Sequence, residues 1–281
     1  MPTTRARAFA QVDVFTAVPY LGNPVAVVID ADGITDEAMA GFAHWTNLSE
    51  TTFVLPSATD AADYRLRIFT PGGELPFAGH PTLGSAHAWL AAGGRPRAES
   101  VLVQECGAGL VRIRRGTDRL AFAAPPLVRS GPIDADTLDR IVRGLRIDNG
   151  DVLDSAWVDN GPGWAGILLA SAEAVLALEP DWTALEGLDI GVVGPTAAGA
   201  DTAVEVRAFA VGAGLTEDPV TGSLNASLAQ WLIGSGRLPR SYVAGQGTRL
   251  RRAGRVHVTA LEDDIWVGGD CVTCITGMVT V

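Results

Sequence analysis

Glu217-Asp218-Pro219-Val220-Thr221-Gly222-Ser223-Leu224-Asn225-Ala226 reads as a turn that runs into a helix. Asp218 and Ser223 are of the residue types that cap helix N-termini, Pro219 suits a first helical turn, and small Gly222 and Ala226 let other groups come close. Leu228, Ala229, Trp231, Leu232 and Ile233 follow with little polar surface, so the helix reads as central to its domain rather than as amphipathic. Its N-terminus offers backbone N–H groups and a partial positive charge, a seat for a carboxylate or a developing oxyanion.

The stretch has a partner earlier in the chain. His80-Pro81-Thr82-Leu83-Gly84-Ser85-Ala86-His87-Ala88 matches Asp218 to Ala226 at His80/Asp218, Pro81/Pro219, Gly84/Gly222, Ser85/Ser223, His87/Asn225 and Ala88/Ala226. A strand-like run precedes each, Tyr64 to Phe69 and Val204 to Phe209, with Arg67 and Phe69 aligned on Arg207 and Phe209. Each run passes through a glycine turn, Pro71-Gly72-Gly73 or Gly212-Ala213-Gly214. The shared order points to an internal duplication: two similar halves, each with a strand, a turn and a central helix.

Composition agrees. A chain of 281 residues suits two domains at about 150 residues each. Apolar residues make up 47% and charged residues 19%, enough for a substantial core. The net charge of −11, with no basic stripe, argues against nucleic acid and against a membrane-surface role. All 21 basic residues are arginine, which removes a Schiff-base lysine and a P-loop lysine. Chemistry then falls to carboxylates, histidine, hydroxyls, thiols or backbone dipoles. No run of 18 apolar residues marks a membrane helix.

Three cysteines, Cys106, Cys271 and Cys274, with no signal-peptide pattern, read as reduced thiols of a cytoplasmic protein. Cys271-x-x-Cys274 lies in a strand-like tail without a second Cys/His pair, so it reads as strand filling rather than as a metal half-site. Gly161-Pro-Gly163-Trp-Ala-Gly166 satisfies G-x-G-x-x-G, but strand-like Ile167-Leu-Leu follows where a phosphate-binding helix belongs, so a turn between strands is expected.

Taken in order, Ala8 to Thr16 and Val25 to Ile29 read as strands, Asp32 to Trp45 as a helix and Thr51 to Leu55 as a strand. Asn23 stands in the turn between the first two, either for turn geometry or as a polar contact to a ligand. Glu50 stands at a strand entrance. Beside an apolar strand its carboxylate suits a general acid or base, although an isolated Glu there is more often a solvated surface residue. His80 is a cap, a core histidine or a cleft residue; His87, inside its helix, reads as structural. Ala124-Pro-Pro-Leu127 is the best linker, and Ile133 to Leu145 is a helix.

With Asn47-Leu-Ser-Glu-Thr-Thr-Phe53, Phe77-Ala-Gly-His-Pro-Thr-Leu-Gly84 and Glu217-Asp-Pro-Val-Thr-Gly-Ser223 in family order, the chain resembles the PhzF family of phenazine-biosynthesis-like isomerases and epimerases. Val12-Asp-Val-Phe-Thr, Gly22-Asn-Pro-Val-Ala26 and Ile265-Trp-Val-Gly-Gly269 fit too. The resemblance implies an α/β (α+β) diaminopimelate-epimerase-like fold. Two similar domains, residues 1–125 and 126–281, would each wrap a curved, barrel-like sheet round a central helix, with the active site between them. The last strand would be free to return to the first domain. It implies Glu50 as the acid/base, with His80, Asp218 and Ser223 as catalytic partners. Asn23, Gly79 and Gly222 would line the substrate site. No cofactor, no metal and a homodimer are implied. Neither helix start carries the cysteine of related two-thiol racemases. Asn225 stands where many relatives have histidine.

The expected function is a cofactor-independent isomerase that shifts a proton and a double bond in a small cyclic, amino-acid-like carboxylate. Two alternatives stay open. One is an epimerase or racemase with His80 or Asp218 as a second base; the other is a non-catalytic protein that binds a small acid.

Overall fold

The computed structural model describes residues 5–116, 119–212 and 216–281. Ala213 and Gly214 of the second glycine turn lie outside them. The chain forms two compact units, Met1–Ala123 with Gly268–Val281, and Ala124–Val267. The sequence puts the boundary near 125; the chain leaves the first unit after Ala123 and returns to it at Gly268.

The first unit contains β1 (Ala6–Val14), β2 (Asn23–Val28), α1 (Asp36–Thr46), β3 (Glu50–Leu55), β4 (Tyr64–Thr70), β5 (Gly73–Leu75), α2 (Gly79–Ala91), β6 (Val101–Cys106), β7 (Gly109–Arg115) and β8 (Leu120–Ala123). The second contains β9 (Arg129–Gly131), α3 (Ala135–Leu145), β10 (Asp154–Asp159), β11 (Trp164–Leu168), α4 (Ala172–Ala177), β12 (Asp189–Pro195), β13 (Val204–Ala210), α5 (Gly222–Gly234), β14 (Ser241–Gln246) and β15 (Gly254–Leu261). The chain passes back through β16 (Asp264–Gly269) to β17 (Cys271–Thr280), which pairs antiparallel with β1.

The pairing pattern repeats. β1–β2 is antiparallel, β2–β3 parallel, β3–β4 antiparallel, β4–β6 parallel and β6–β7 antiparallel. β10–β11, β11–β12, β12–β13, β13–β14 and β14–β15 follow the same sequence of directions. Register repeats as well. Val25 pairs with Glu50 as Trp164 pairs with Asp189, and Thr51 faces Phe69 as Ile190 faces Phe209. Tyr64 lies beside Gln104 as Val204 lies beside Ala244.

The duplication stands, but its helix register differs from the one the sequence suggests. Ile68 pairs with Leu75, and in the same place Ala208 bridges to Asp218. Both central helices are 13 residues long and open on glycine. Asp218 therefore corresponds to Leu75, Pro219 to Pro76, Gly222 to Gly79 and Ser223 to His80. The competing match slid five residues because Pro and Gly recur in His80-Pro81 and Gly84. Asp218 and Pro219 consequently precede α5, whose N-cap is Thr221, and Ser223 lies within its first turn. His80 likewise sits inside α2, after an N-cap at Ala78. Neither N-cap side chain accepts from its own helix's first-turn amides, and the N-cap of α5 is Thr221 rather than the expected Asp218 or Ser223.

Each of these helices buries nine of its 13 residues, so each is central and not amphipathic. A Cβ on Gly84 would lie 2.4 Å from Val25 Cγ1, which shows how closely α2 approaches β2. Arg67 and Arg207 play matching parts. Each donates twice to one carboxylate, Glu74 or Glu217, and lies over a phenylalanine ring, Phe69 at 5.0 Å or Phe209 at 4.8 Å. Each also reaches a flanking helix: Arg67 binds Asp36 at the start of α1, and Arg207 donates to the carbonyls of Val175 and Leu178 at the end of α4.

Gly161 to Gly163 form an antiparallel connection between β10 and β11, tied by Asp159 Oδ1, which accepts from the amides of Gly161 and Gly163. This is the turn expected in place of a dinucleotide site. Cys271 and Cys274 lie on β17 with free thiols, as the strand reading has it. Among the described residues no helix is long and apolar enough to cross a membrane.

Candidate active site

In the first unit the strand register and the helix start bring Glu50, His80 and Asn23 together. Glu50 opens β3, where parallel pairing with β2 begins, and His80 is the second residue of α2. Glu50 Oε2 and His80 Nε2 face each other at 3.2 Å, off the alignment of a hydrogen bond. Their side chains are 14% and 4% exposed, so the carboxylate keeps a narrow opening while the imidazole is sealed. Asn23 is not in a turn. It is the first residue of β2, fully buried, with Nδ2 3.3 Å from His80 Nδ1. The turn before it is closed by Asp13, whose Oδ2 accepts from the Gly22 amide at 3.0 Å. Any side chain at Gly22 would collide with the Val14 carbonyl, 2.1 Å from an added Cβ, so the approach to Asn23 requires glycine.

Burial lowers the His80 pKa to about 3, with the Pro24 carbonyl acting in the other direction. The imidazole therefore stands neutral beside the Glu50 carboxyl group. Gly79, buried, opens the helix one residue earlier. Further along α2, Thr82 accepts from Gln104 Nε2 at 3.0 Å, and Ser85 bonds Thr52 at 2.8 Å. His87 Nε2 lies 2.9 Å from Thr273 Oγ1 on β17, a structural contact as the sequence suggested.

In the second unit Gly222 and Ser223 occupy the places of Gly79 and His80, and Asp218 that of Leu75. Asp218 Oδ2 accepts from the Thr221 hydroxyl at 2.5 Å. Ser223 Oγ accepts from Trp164 Nε1 at 3.3 Å, and its carbonyl accepts from Asn160 Nδ2 at 2.9 Å. Asn225 is buried and donates to Gln246 Oε1 at 2.8 Å and to the Thr221 carbonyl at 2.9 Å, so it stabilises the helix start. The two units are not chemically equivalent here. The counterpart of Glu50 is Asp189, whose Oδ1 accepts from the Gly212 amide at 2.9 Å, and the counterpart of His80 is Ser223.

Sequence reasoning missed Thr221, Trp164, Gln104 and Gln246. Only Thr221 lies close in sequence to a candidate; the others arrive from distant strands. Among the described residues no cluster of three or more His, Cys, Asp or Glu could hold a metal. A surface cavity of about 400 Å³ lined by Arg5, Arg7, Asp30 and Asp32 contains none of the candidate residues.

Residues 12–277 match the family model of the phenazine biosynthesis-like proteins, PhzC-PhzF. The chain belongs to this PhzC-PhzF family. It is 36% identical over 289 residues to antisense-enhancing sequence 1 of Schizosaccharomyces pombe, covering 96% of this chain and 97% of that one. It is 34% identical over 261 residues to the trans-2,3-dihydro-3-hydroxyanthranilate isomerase of Pseudomonas aeruginosa, covering 90% of each. The PhzF-family crystal structure from Bacillus anthracis superposes with a TM-score of 0.84 at 22% identity, covering 99% of this chain and 100% of that chain, which establishes the shared fold. Membership places the chain in a family of isomerases on an epimerase-like scaffold.

Proposed function

We propose that this PhzF-family chain is a cofactor-independent isomerase that moves a proton, and with it a double bond, within a small unsaturated, amino-acid-like carboxylate. Glu50 removes a proton from a carbon acidified by neighbouring unsaturation, becoming a carboxylic acid and leaving the electron pair delocalised. The same carboxyl returns the proton to another carbon of the conjugated system on the same face. Neutral His80, packed against Glu50, orients that carboxyl and assists its proton transfer. Asp218 and Ser223 hold its polar groups, and backbone N–H groups at Gly79 and Gly222 stabilise developing negative charge.

The single observation that carries this reading is the Glu50–His80 pair at 3.2 Å, with its lack of an equivalent in the second unit. Asp189 is engaged by a backbone amide and Ser223 by an indole, so the duplicated positions do not supply two matched bases. One base serving two carbons fits an isomerase better than exchange at one stereocentre. The test is NMR of trans-2,3-dihydro-3-hydroxyanthranilate and a panel of unsaturated cyclic amino acids in deuterated buffer. A moved double bond with deuterium at the new carbon is expected. Deuterium at an inverted stereocentre with double bonds in place would establish an epimerase instead.

A further inference from the structure

We infer that Gln246, on a strand that carries none of the candidate residues, is the positioning residue that aims the Thr221 hydroxyl at Asp218 and so fixes that carboxylate. The inference rests on the reading of Asp218 as a substrate-holding group.

Gln246 ends β14 and is fully buried. Its Oε1 accepts from the Thr221 amide at 3.0 Å and from Asn225 Nδ2 at 2.8 Å. Its Nε2 donates to the Asp218 carbonyl at 3.2 Å and to Thr221 Oγ1 at 3.0 Å. One side chain thus reaches four groups of the 218–225 turn. The orientation of its amide is settled chemically. A backbone N–H only donates and a carbonyl only accepts, so a flipped amide would set donor on donor and acceptor on acceptor.

The direction of the next proton follows. Thr221 Oγ1 accepts from Gln246, so its own proton turns to the acceptor 2.5 Å away, Asp218 Oδ2. A hydroxyl donating to a carboxylate favours the ionised form and holds one rotamer.

The first unit contains the same device. Gln104 on β6 is fully buried, accepts from the Tyr64 hydroxyl at 3.0 Å and donates to Thr82 Oγ1 at 3.0 Å. Thr82 and Asn225 hold matching places, two residues beyond His80 and Ser223. β6 and β14 are matching strands, each parallel to the strand that bears Arg67 or Arg207. In both units a buried glutamine from that strand fixes the first turn of the central helix. The two glutamines are not register equivalents, since Gln104 lies beside Tyr64 where Ala244 lies beside Val204; Gln246 reaches its helix start from two residues further along the matching strand.

The experiment compares Gln246→Asn, which keeps an amide but draws it back by one methylene, with Thr221→Val and Thr221→Ser. Two readouts are taken on the whole chain: the ¹³C carboxylate resonance of Asp218, assigned with Asp218→Asn, and turnover of trans-2,3-dihydro-3-hydroxyanthranilate. Gln246→Asn and Thr221→Val are expected to move the Asp218 resonance and to lower kcat about 100-fold, with less change in KM, while Thr221→Ser stays near wild type. Folded Gln246→Asn and Thr221→Val proteins with an unmoved Asp218 resonance would overturn the inference. So would a moved resonance with unchanged kcat. If wild type turns over no substrate, the functional reading fails, and the resonance alone still decides whether Gln246 governs Asp218.

Discussion

His80 is held between two side chains, with Nε2 3.2 Å from Glu50 Oε2 and Nδ1 3.3 Å from Asn23 Nδ2. In the tautomer that accepts from Asn23, the ring proton sits on Nε2 and faces Glu50. His80→Leu is expected to lower kcat about 100-fold, within the range typical of acid–base partners. Asn23→Ala, which leaves the ring in place but unanchored, is expected to cost about tenfold, the worth of one ordinary hydrogen bond. Steady-state kinetics with trans-2,3-dihydro-3-hydroxyanthranilate check both. Equal losses for the two variants would show that Asn23 does more than orient the ring.

Burial of His80 also makes stability depend on pH. The ring titrates near 6.5 when unfolded and at about 3 when folded. Between those values the unfolded chain binds a proton that the folded chain does not. The stability contributed by the neutral ring is therefore complete above about pH 6.5 and is lost as pH falls towards 3, by roughly 1 kcal/mol per pH unit. Urea denaturation at pH 7, 6 and 5 should show this slope in the wild type and a shallower one in His80→Gln.

The duplicated arginine pairs differ in burial, and their energies should differ accordingly. Arg207 and Glu217 have side chains 4% and 8% exposed, whereas Glu74, the partner of Arg67, is 42% exposed. Glu217→Ala leaves a buried guanidinium without its counter-charge and should cost about 3–5 kcal/mol. Glu74→Ala should cost about 1 kcal/mol or less, because water replaces the lost partner. Denaturant midpoints of the two variants give the comparison, and equal shifts would contradict it.

The close contact of α2 with the sheet gives a packing prediction. An alanine Cβ at residue 84 would meet Val25 Cγ1 at 2.4 Å and Val14 Cγ2 at 3.0 Å. Gly84→Ala should destabilise the protein by about 1–3 kcal/mol through overpacking. Because α2 carries His80, turnover should fall with stability. Gly41→Ala, where an added Cβ meets nothing within 4 Å, is the control on a helix.

Much of the fold was legible because the local signals agree. Strand runs such as Tyr64 to Phe69 and the small, apolar composition of α5 lead to the elements found. Arg67/Arg207 and Phe69/Phe209 align in sequence as they do in space. The helix register was not legible, because Pro and Gly near each helix start permit two alignments. Only the pairing of Leu75 and Asp218 with their strands chooses between them. Asn-Pro is a turn signal, but pairing with Val14 draws Asn23 into β2. Glu50 was visible only as a carboxylate at a strand entrance. Gln104 and Gln246 were invisible because their partners lie 22–40 and 21–28 residues away, a separation that only the completed sheet closes.

The central claim is that one carboxylate, Glu50, carries the proton. It is tested by following deuterium entry into trans-2,3-dihydro-3-hydroxyanthranilate by proton NMR, with wild type and Glu50→Gln side by side. A double-bond shift with deuterium at the new carbon in wild type, and neither in a folded Glu50→Gln protein, is the expected result. Deuterium entry at an undiminished rate in Glu50→Gln would show that another residue is the base.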